Sequence, residues 1–419
     1  MSSVTQYDII IIGSGIAGLY SAYKLKTSFP NLRFLVLEKS AKSWMGGRTG
    51  NVSFYGSFVV VGAGIGRRDT NPLLISLMRA CGIPRKGFRG IVNYVAGFEP
   101  LNIMKILAHL KSEYRKHPEL RGLCFRDFFL QFYNVSIYNH FVDTVGYNDY
   151  AKADTYETLY NYGFDDTISG WQGFYVPWKT LVNTLYDKIG GRHFRFNQNV
   201  VYLNHLSGDG GGYEIVSENG DVFTSKHVIL ATTIEGIKQL VPGANRRDSL
   251  YRQIHGQPFL KLYGKFDRAS SRVLQGYLDG HYTVVPGVLQ KIIPVNSETG
   301  VYLIAYNDNA GAIAVKGRLE NTAENRAYFC REIERGVGIP PYSLNLLAIK
   351  GFYWEVGTHY FEPLRVGQYA NRREFLRAAQ HPQDGILVVG ECVSQYQGWV
   401  EGALESVETG WKVVKQWYL

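Results

Sequence analysis

The stretch YDIIIIGSGIAG, residues 7–18, decides the fold. Four isoleucines in a row, Ile9 to Ile12, suit a strand buried on both faces, as in a parallel sheet. The run breaks into G-x-G-x-x-G, and Leu19 to Leu25 then reads as a helix. In this strand–turn–helix context Gly13 permits the tight turn. Gly15 lets the backbone approach a pyrophosphate, and Gly18 lets helix and strand pack closely. Ile16 and Ala17 open the helix, whose free N–H groups face the phosphate charge. A second apolar run, Phe34 to Leu37, ends in Glu38-Lys39, with Glu38 placed 20 residues after Gly18. An acid there accepts hydrogen bonds from ribose hydroxyls and repels a 2′-phosphate, so NADP is disfavoured.

The rest of the composition narrows the class. A chain of 419 residues, 45% hydrophobic and 19% charged, allows two domains and a large core. The 30 tyrosines are an excess that suits pocket walls, with an apolar body and a polar tip, or plain core. The net charge of +9 comes with no long basic block, so no nucleic-acid partner is expected. Cys81, Cys124, Cys330 and Cys392 lack metal or redox spacing, which argues against a zinc site or a disulfide framework. Residues Ser2 to Asp8 lack a leader's charge pattern. No apolar run approaches the roughly 20 residues of a membrane span. The expectation is a cytoplasmic protein without membrane association. Residues 85–121 hold eight Lys/Arg against three Asp/Glu, read as a solvated surface rather than a membrane-lying helix.

The residues after Glu38 carry a resemblance. Met45-Gly46-Gly47-Arg48 follows closely, and together they resemble the flavin-containing amine oxidase family, which includes monoamine and polyamine oxidases. The family's usual additional arginine two residues before the glycines is Trp44 here. The resemblance implies an α/β chain with a discontinuous Rossmann-like FAD-binding domain, residues 1–71, 191–243 and 380–419. An α+β substrate-binding domain would take 72–190 and 244–379. It implies that Gly62, Ala63 and Gly64 form the loop beside the flavin ring, although a simple tight turn reads equally well there. Val200 would hold the adenine, and the acid of Gly390-Glu391 would bind the ribityl chain.

Other motifs extend it. "LNIMKILAHLKSEYRKH" (101–117) has apolar residues at 103, 106, 107 and 110, one face of a helix, within a region 72–190 that reads as largely helical. "GYNDYAKADTYETLYNYGFDD" (146–166) holds five acids and five tyrosines, suited either to a cationic-substrate entrance or to a solvated helix and loop. "QPFLKLYGKFD" (257–267) alternates as a strand, and the resemblance places Lys261 on it as the lysine holding a water against flavin N5, with Lys265 the alternative register. Near the C-terminus, Gly398-Trp399 precedes a helix from Val400, whose N-terminal dipole would face the flavin N1/C2 edge. Trp399 takes the family's aromatic place beside the ring. The facing wall would come from "WEVGTHYFEPL" (354–364), through His359 by strict counting or Tyr360 with one residue of slip. Thr358 stands where covalent members carry a flavin-linked cysteine, which implies non-covalent FAD.

The activity implied is hydride transfer from an amine-bearing carbon to flavin N5, giving an imine, with O2 reduced to H2O2. The alternatives are an L-amino-acid oxidase or another flavin desaturase or oxidase of the same fold. An amino-acid oxidase needs an arginine for the substrate carboxylate, Arg126 and Arg252 being candidates. A further alternative is a flavin-free binding protein on this fold.

Overall fold

The structure is a computed structural model that describes residues 6–207, 211–365 and 367–418. Residues 1–5, where the leader expectation begins, lie outside the described residues, as do the side chains of Asp165 and Asp166, the last two acids of the tyrosine-rich segment.

Strand Gln6–Ile12 runs parallel to Phe34–Leu37 on one side and to Val222–Leu230 on the other. Its isoleucines divide between two cores. Ile9 and Ile11 join the cluster that contains helix Ile16–Ser28, while Ile10 and Ile12 join the cluster on the opposite face. That division is why no polar residue interrupts the run. Val222–Leu230 pairs antiparallel with Tyr213–Ser217 along its first half and parallel with Ile386–Val388 along its second. Val200–His205 and Phe194–Arg195 close the two ends of this seven-stranded sheet. Strands distant in sequence thus meet in one sheet, and Val222–Leu230 lies between the chain's first strand and its last.

A second, six-stranded sheet is built on the long strands Ile254–Phe266 and Leu346–Phe361, paired antiparallel. Its apolar face packs on helices Arg268–Leu278 and Ala323–Val337 through Leu274, Phe329 and Ile333. Between residues 72 and 190, helices alternate with the short strands Lys86–Arg89, Val92–Tyr94 and Gln172–Tyr175. Helix Ile103–Lys116 buries Ile103, Ile106, Leu107 and Leu110, the face expected from their spacing. Helices Pro72–Ala80 and Trp178–Ile189 contribute Leu74, Met78, Trp178 and Leu181 to the same core as Ile9 and Ile11. Among the described residues no helix is long and apolar enough to cross a membrane.

The first glycine turn sets the distance between strand and helix. Gly13 has φ +104°, and a Cβ on Gly18 would stand 2.0 Å from the Gly13 carbonyl oxygen. Backbone offers no rotamer escape, so Gly18→Ala is expected to push the helix off the sheet and cost roughly 1–3 kcal/mol. Thermal unfolding of the variant should show a clear drop; an unchanged midpoint would mean that this contact does not govern the packing.

Candidate active site

The loop Gly13–Gly18 opens onto a cavity of about 2140 Å³. Pockets for single small molecules are typically about 300–1,000 Å³, so this one accommodates a dinucleotide and a second molecule. Its lining includes every residue expected at the site except Gly18, His359 and Tyr360.

At one end the helix starting at Ile16 meets the cavity with its N-cap, Gly15, lacking a side-chain cap and with no acid in its first turn. Its N–H groups and dipole are therefore available to an anion. A Cβ on Gly15 would meet no atom within 4 Å, because the space on that side is cavity. Glu38 stands beside it, 8% exposed. Its carboxylate accepts from the Ser14 N–H at 2.8 Å, the Ser14 hydroxyl at 2.7 Å and the Ser40 N–H at 2.9 Å. A carboxylate offers about four lone-pair sites, so capacity for a ligand hydroxyl remains. Lys39, Val200 and Gln198 line the same end.

The middle of the cavity is a floor of small residues. Gly62, Ala63 and Gly64 follow strand Ser57–Val60, and their segment is tied down by three large side chains. Tyr263 donates its hydroxyl to the Val60 carbonyl at 2.8 Å, Trp354 its indole to Val61 at 2.8 Å, and Trp178 its indole to Gly64 at 2.8 Å. A Cβ on Gly62 would stand 2.4 Å from the Arg48 carbonyl oxygen, which locks the floor to the Gly46-Gly47-Arg48 turn. Gly46 itself, at φ +95°, donates to the Ser14 carbonyl at 3.0 Å.

Lys261 enters from strand Ile254–Phe266 and is 4% exposed. Its Nζ lies 3.6 Å from where a Cβ on Gly64 would stand and 4.5 Å from the Tyr306 ring centroid. Burial pulls its pKa down to about 7. Lys265, the alternative register, does not line the cavity; its ammonium donates to the Thr299 carbonyl. Tyr306 packs against Phe259 at 5.2 Å and Tyr147 at 5.7 Å, so the lysine faces an aromatic wall. The tyrosine-rich segment serves two ends at once. Tyr147, Asp149, Tyr160 and Tyr162 line the cavity, whereas Tyr150 is core and Asp154 pairs with Arg372 at 3.2 Å.

At the far end Gly398, at φ +76°, turns the chain into helix Val400–Tyr418, and Trp399 and Val400 face the cavity. The Trp399 indole donates to Asn71 Oδ1 at 3.0 Å, the atom that also accepts the Arg67 N–H at 2.7 Å. Glu401 is an acid in the first turn of this helix, but its carboxylate accepts the Leu73 and Leu74 N–H groups at 2.7 and 3.1 Å.

Glu391 also stands at this end. It lines the cavity as expected, 5% exposed, and it also accepts from three protein donors. Arg48 Nη1 reaches Oε1 at 2.9 Å, the Gly398 N–H reaches Oε2 at 2.8 Å, and His359 Nδ1 bonds Oε1. Burial raises the pKa of this carboxyl, but the hydrogen bond from His359, the Arg48 charge and the Gly398 N–H outweigh it and hold it below the ordinary carboxylate range.

His359 and Tyr360 do not form the wall expected of them. His359 is buried behind the cavity, between Glu391 and the Ile234 N–H. Tyr360 stacks on His255 at 5.1 Å. The reason is register: strand Leu346–Phe361 faces the cavity through Tyr353 to Thr358, and an irregularity in its pairing at Gln257/Phe259 shifts the alternation beyond that point. Asn71, Trp178 and Tyr263 were missed by sequence reasoning, and Trp354 was read only as the opening residue of the motif 354–364. The three aromatics bear on the site through backbone carbonyls, and for Trp178 and Tyr263 the sequence signal is only that each is an aromatic with a polar tip.

These residues fit FAD: a pyrophosphate cradle that a Cβ would fill, an acid beside it, a floor of small residues, and a second helix N-terminus at the far end.

Comparisons agree with that geometry. The family described as flavin containing amine oxidoreductase matches residues 107–409, and the NAD(P)-binding Rossmann-like domain matches residues 11–65. An uncharacterised protein of Acanthamoeba polyphaga mimivirus is 43% identical over 53 residues, 13% of this chain and 10% of that one. The chain thus spans about a tenth of the curated relative it matches. Among solved structures, wild-type putrescine oxidase bound to putrescine is similar over 98% of this chain and 99% of that chain, with 16% identity and a TM-score of 0.73. Cyclohexylamine oxidase from Brevibacterium oxydans gives the same coverage, 16% identity and a TM-score of 0.73. At this identity the likeness shows a shared fold.

Gly15→Val tests the cradle. Since the added side chain meets open space, the apoprotein should unfold at the wild-type temperature while flavin content after purification falls to near zero. A folded variant with full flavin content would assign the loop another purpose.

Proposed function

We propose, from the premise that the chain belongs to the flavin-containing amine oxidoreductase family and is an FAD-dependent oxidoreductase of the amine-oxidase type, that it oxidises a small amine with O2. The substrate loses a hydride from the carbon beside its nitrogen and a proton from the nitrogen and becomes an imine, which water hydrolyses to a carbonyl compound and a freed amine or ammonia. Bound FAD supplies the hydride acceptor and passes the electrons to O2, giving H2O2. One observation carries the reading: Lys261 and Trp399 line the same cavity as the glycine cradle.

The residues divide the work by position. Gly13, Gly15, Glu38, Lys39 and Val200 hold the adenosine and pyrophosphate. Gly46, Gly47, Arg48, Gly62, Ala63 and Gly64 seat the middle. The helix from Val400 presents its positive end where negative charge develops on reduction, and because Glu401 is committed to Leu73 and Leu74 it does not cancel that field. Trp399, held by Asn71, forms one wall for the substrate. Lys261 holds a water or a proton beside the floor at Gly64. Thr358 lines the cavity where a cysteine would be needed for a thioether link, in keeping with non-covalent FAD. The same reading keeps a cofactor unit of 1–71, 191–243 and 380–419 and a substrate unit of 72–190 and 244–379, with helices Pro72–Ala80 and Trp178–Ile189 shared at the boundary. Of the arginines weighed for an amino-acid substrate, Arg126 and Arg252 do not line the cavity. Family membership sets the flavin-free reading aside.

The direct test is a panel of amines and amino acids read by peroxide release from the purified yellow protein, with acid precipitation to free the colour. Peroxide from amines and colour in the supernatant are expected. A silent amine panel, or colour in the pellet, would overturn the corresponding half.

Lys261→Met separates chemistry from folding. Flavin reduction or reoxidation in stopped flow should slow about tenfold, roughly 1.4 kcal/mol of barrier. The lowered pKa of Lys261 adds a sign. Between pH 7 and the ordinary value of 10.5, the unfolded chain binds a proton that the folded chain has lost, so wild-type stability rises with pH there. The variant lacks that slope. Its advantage in apoprotein stability over wild type should be greatest below pH 7 and shrink toward 10.5. A constant difference would mean that Lys261 titrates normally.

A further inference from the structure

His359 lies behind the cavity wall with its side chain 0% exposed. Its Nε2 is 3.1 Å from the Ile234 backbone nitrogen. A backbone N–H donates and does not accept, so Nε2 offers its lone pair and the ring proton resides on Nδ1. Nδ1 therefore donates to Glu391 Oε1. Glu391 binds Arg48 and the Gly398 N–H, and Arg48 Nη1 reaches the Gly357 carbonyl at 2.7 Å. Ile234 is the first residue of helix Ile234–Leu240, whose preceding Thr232 and Thr233 line the cavity's nucleotide end. Gly398 and Trp399 line the other end. The imidazole bridges the two.

The charged groups facing this ring are Glu391 and Arg48. The Cys392 thiol beside Glu391 is kept protonated by burial. Strand Ile254–Phe266 sets Gly256, which has no titratable group, opposite His359. A second proton on Nε2 would point at the Ile234 N–H with no acceptor, at the cost of an unsatisfied buried donor pair.

We propose that His359 is a positioning residue locked as the neutral Nδ1–H tautomer, which through Glu391 fixes Arg48 and the Gly398–Trp399 turn against the cofactor. Its consequence for the cofactor rests on the FAD reading; the tautomer is a property of the chain itself.

The test is nitrogen-15 histidine NMR on the full-length chain, apo and with FAD, using His359→Gln to assign the signal. The wild-type ring should keep one proton, on Nδ1, from about pH 5.5 to 8.5, while exposed histidines titrate. Ile234→Pro removes the locking N–H at the first helical position, where proline is tolerated. In that variant the His359 signal should titrate within the window, and the FAD dissociation constant should become pH-dependent there. His359→Gln keeps a donor and an acceptor and should hold FAD within about threefold of wild type. His359→Leu should weaken FAD about tenfold or more. A wild-type ring that gains its second proton in the window, an Ile234→Pro ring that does not, or FAD binding by His359→Leu equal to wild type would overturn the proposal. Failure of wild-type protein to bind FAD would instead refute the cofactor reading and leave the tautomer result standing.

Discussion

The Glu391 carboxylate is the contact on which the site's geometry depends. A buried carboxylate is costly unless its lone pairs are taken up by donors. Glu391 meets that demand by drawing in three groups from separate parts of the chain: Arg48 from the first hundred residues, His359 from the long second-sheet strand, and the Gly398 N–H from the C-terminal turn. Each donor also shapes the cavity. Arg48 closes the Gly46-Gly47 turn onto Gly357, and Gly398 directs Trp399. Removing one donor would leave the charge under-compensated, so the arrangement is all or none in energy as well as in shape.

Around that contact, the two sheets contribute different things. The seven-stranded sheet supplies backbone at its parallel strands: glycine turns, helix N-termini and an acid at the end of a strand. The six-stranded sheet supplies side chains from its antiparallel strands: Lys261, Tyr306, Phe259 and Trp354. This division follows from strand geometry. Ligands lie beyond the carboxyl ends of parallel strands, where loops begin, whereas an antiparallel sheet offers one face on which alternate side chains stand. The tyrosine surplus in the composition is accounted for on both counts, with Tyr147 and Tyr306 at the wall and Tyr150, Tyr263 and Tyr302 in cores.

The cofactor half was legible in the sequence because its signals are local. Ile9 to Ile12, the three glycines and Glu38 sit within one strand–helix–strand unit, and each residue type has a single stereochemical reason to be there. The same held for Gly390-Glu391 and Gly398-Trp399. The substrate wall was less legible. Whether His359 or Thr358 faces the cavity depends on a pairing irregularity at Gln257/Phe259, set by contacts with a strand about a hundred residues away. Counting from a motif cannot see a shifted register. Lys261 against Lys265 was open for the same reason and is decided by which of them meets Gly64 and which meets Thr299. Of the anchors of the cavity floor, Trp178 carried no motif, and Tyr263 and Trp354 stood in quoted strands without an anchoring role being read from them, since what they recognise is main chain.

Those anchors bear on how the molecule comes into being. The carbonyls of Val60, Val61 and Gly64 are held by donors 203, 293 and 114 residues distant in sequence. Contacts of such separation close large loops and form slowly. The floor on which the cofactor's ring would rest is therefore complete only when segments far apart in sequence have come together. A truncated chain with a perfect glycine cradle but without Trp178, Tyr263 and Trp354 would lack the anchors of that floor, so the cradle and the floor are separate demands on the fold.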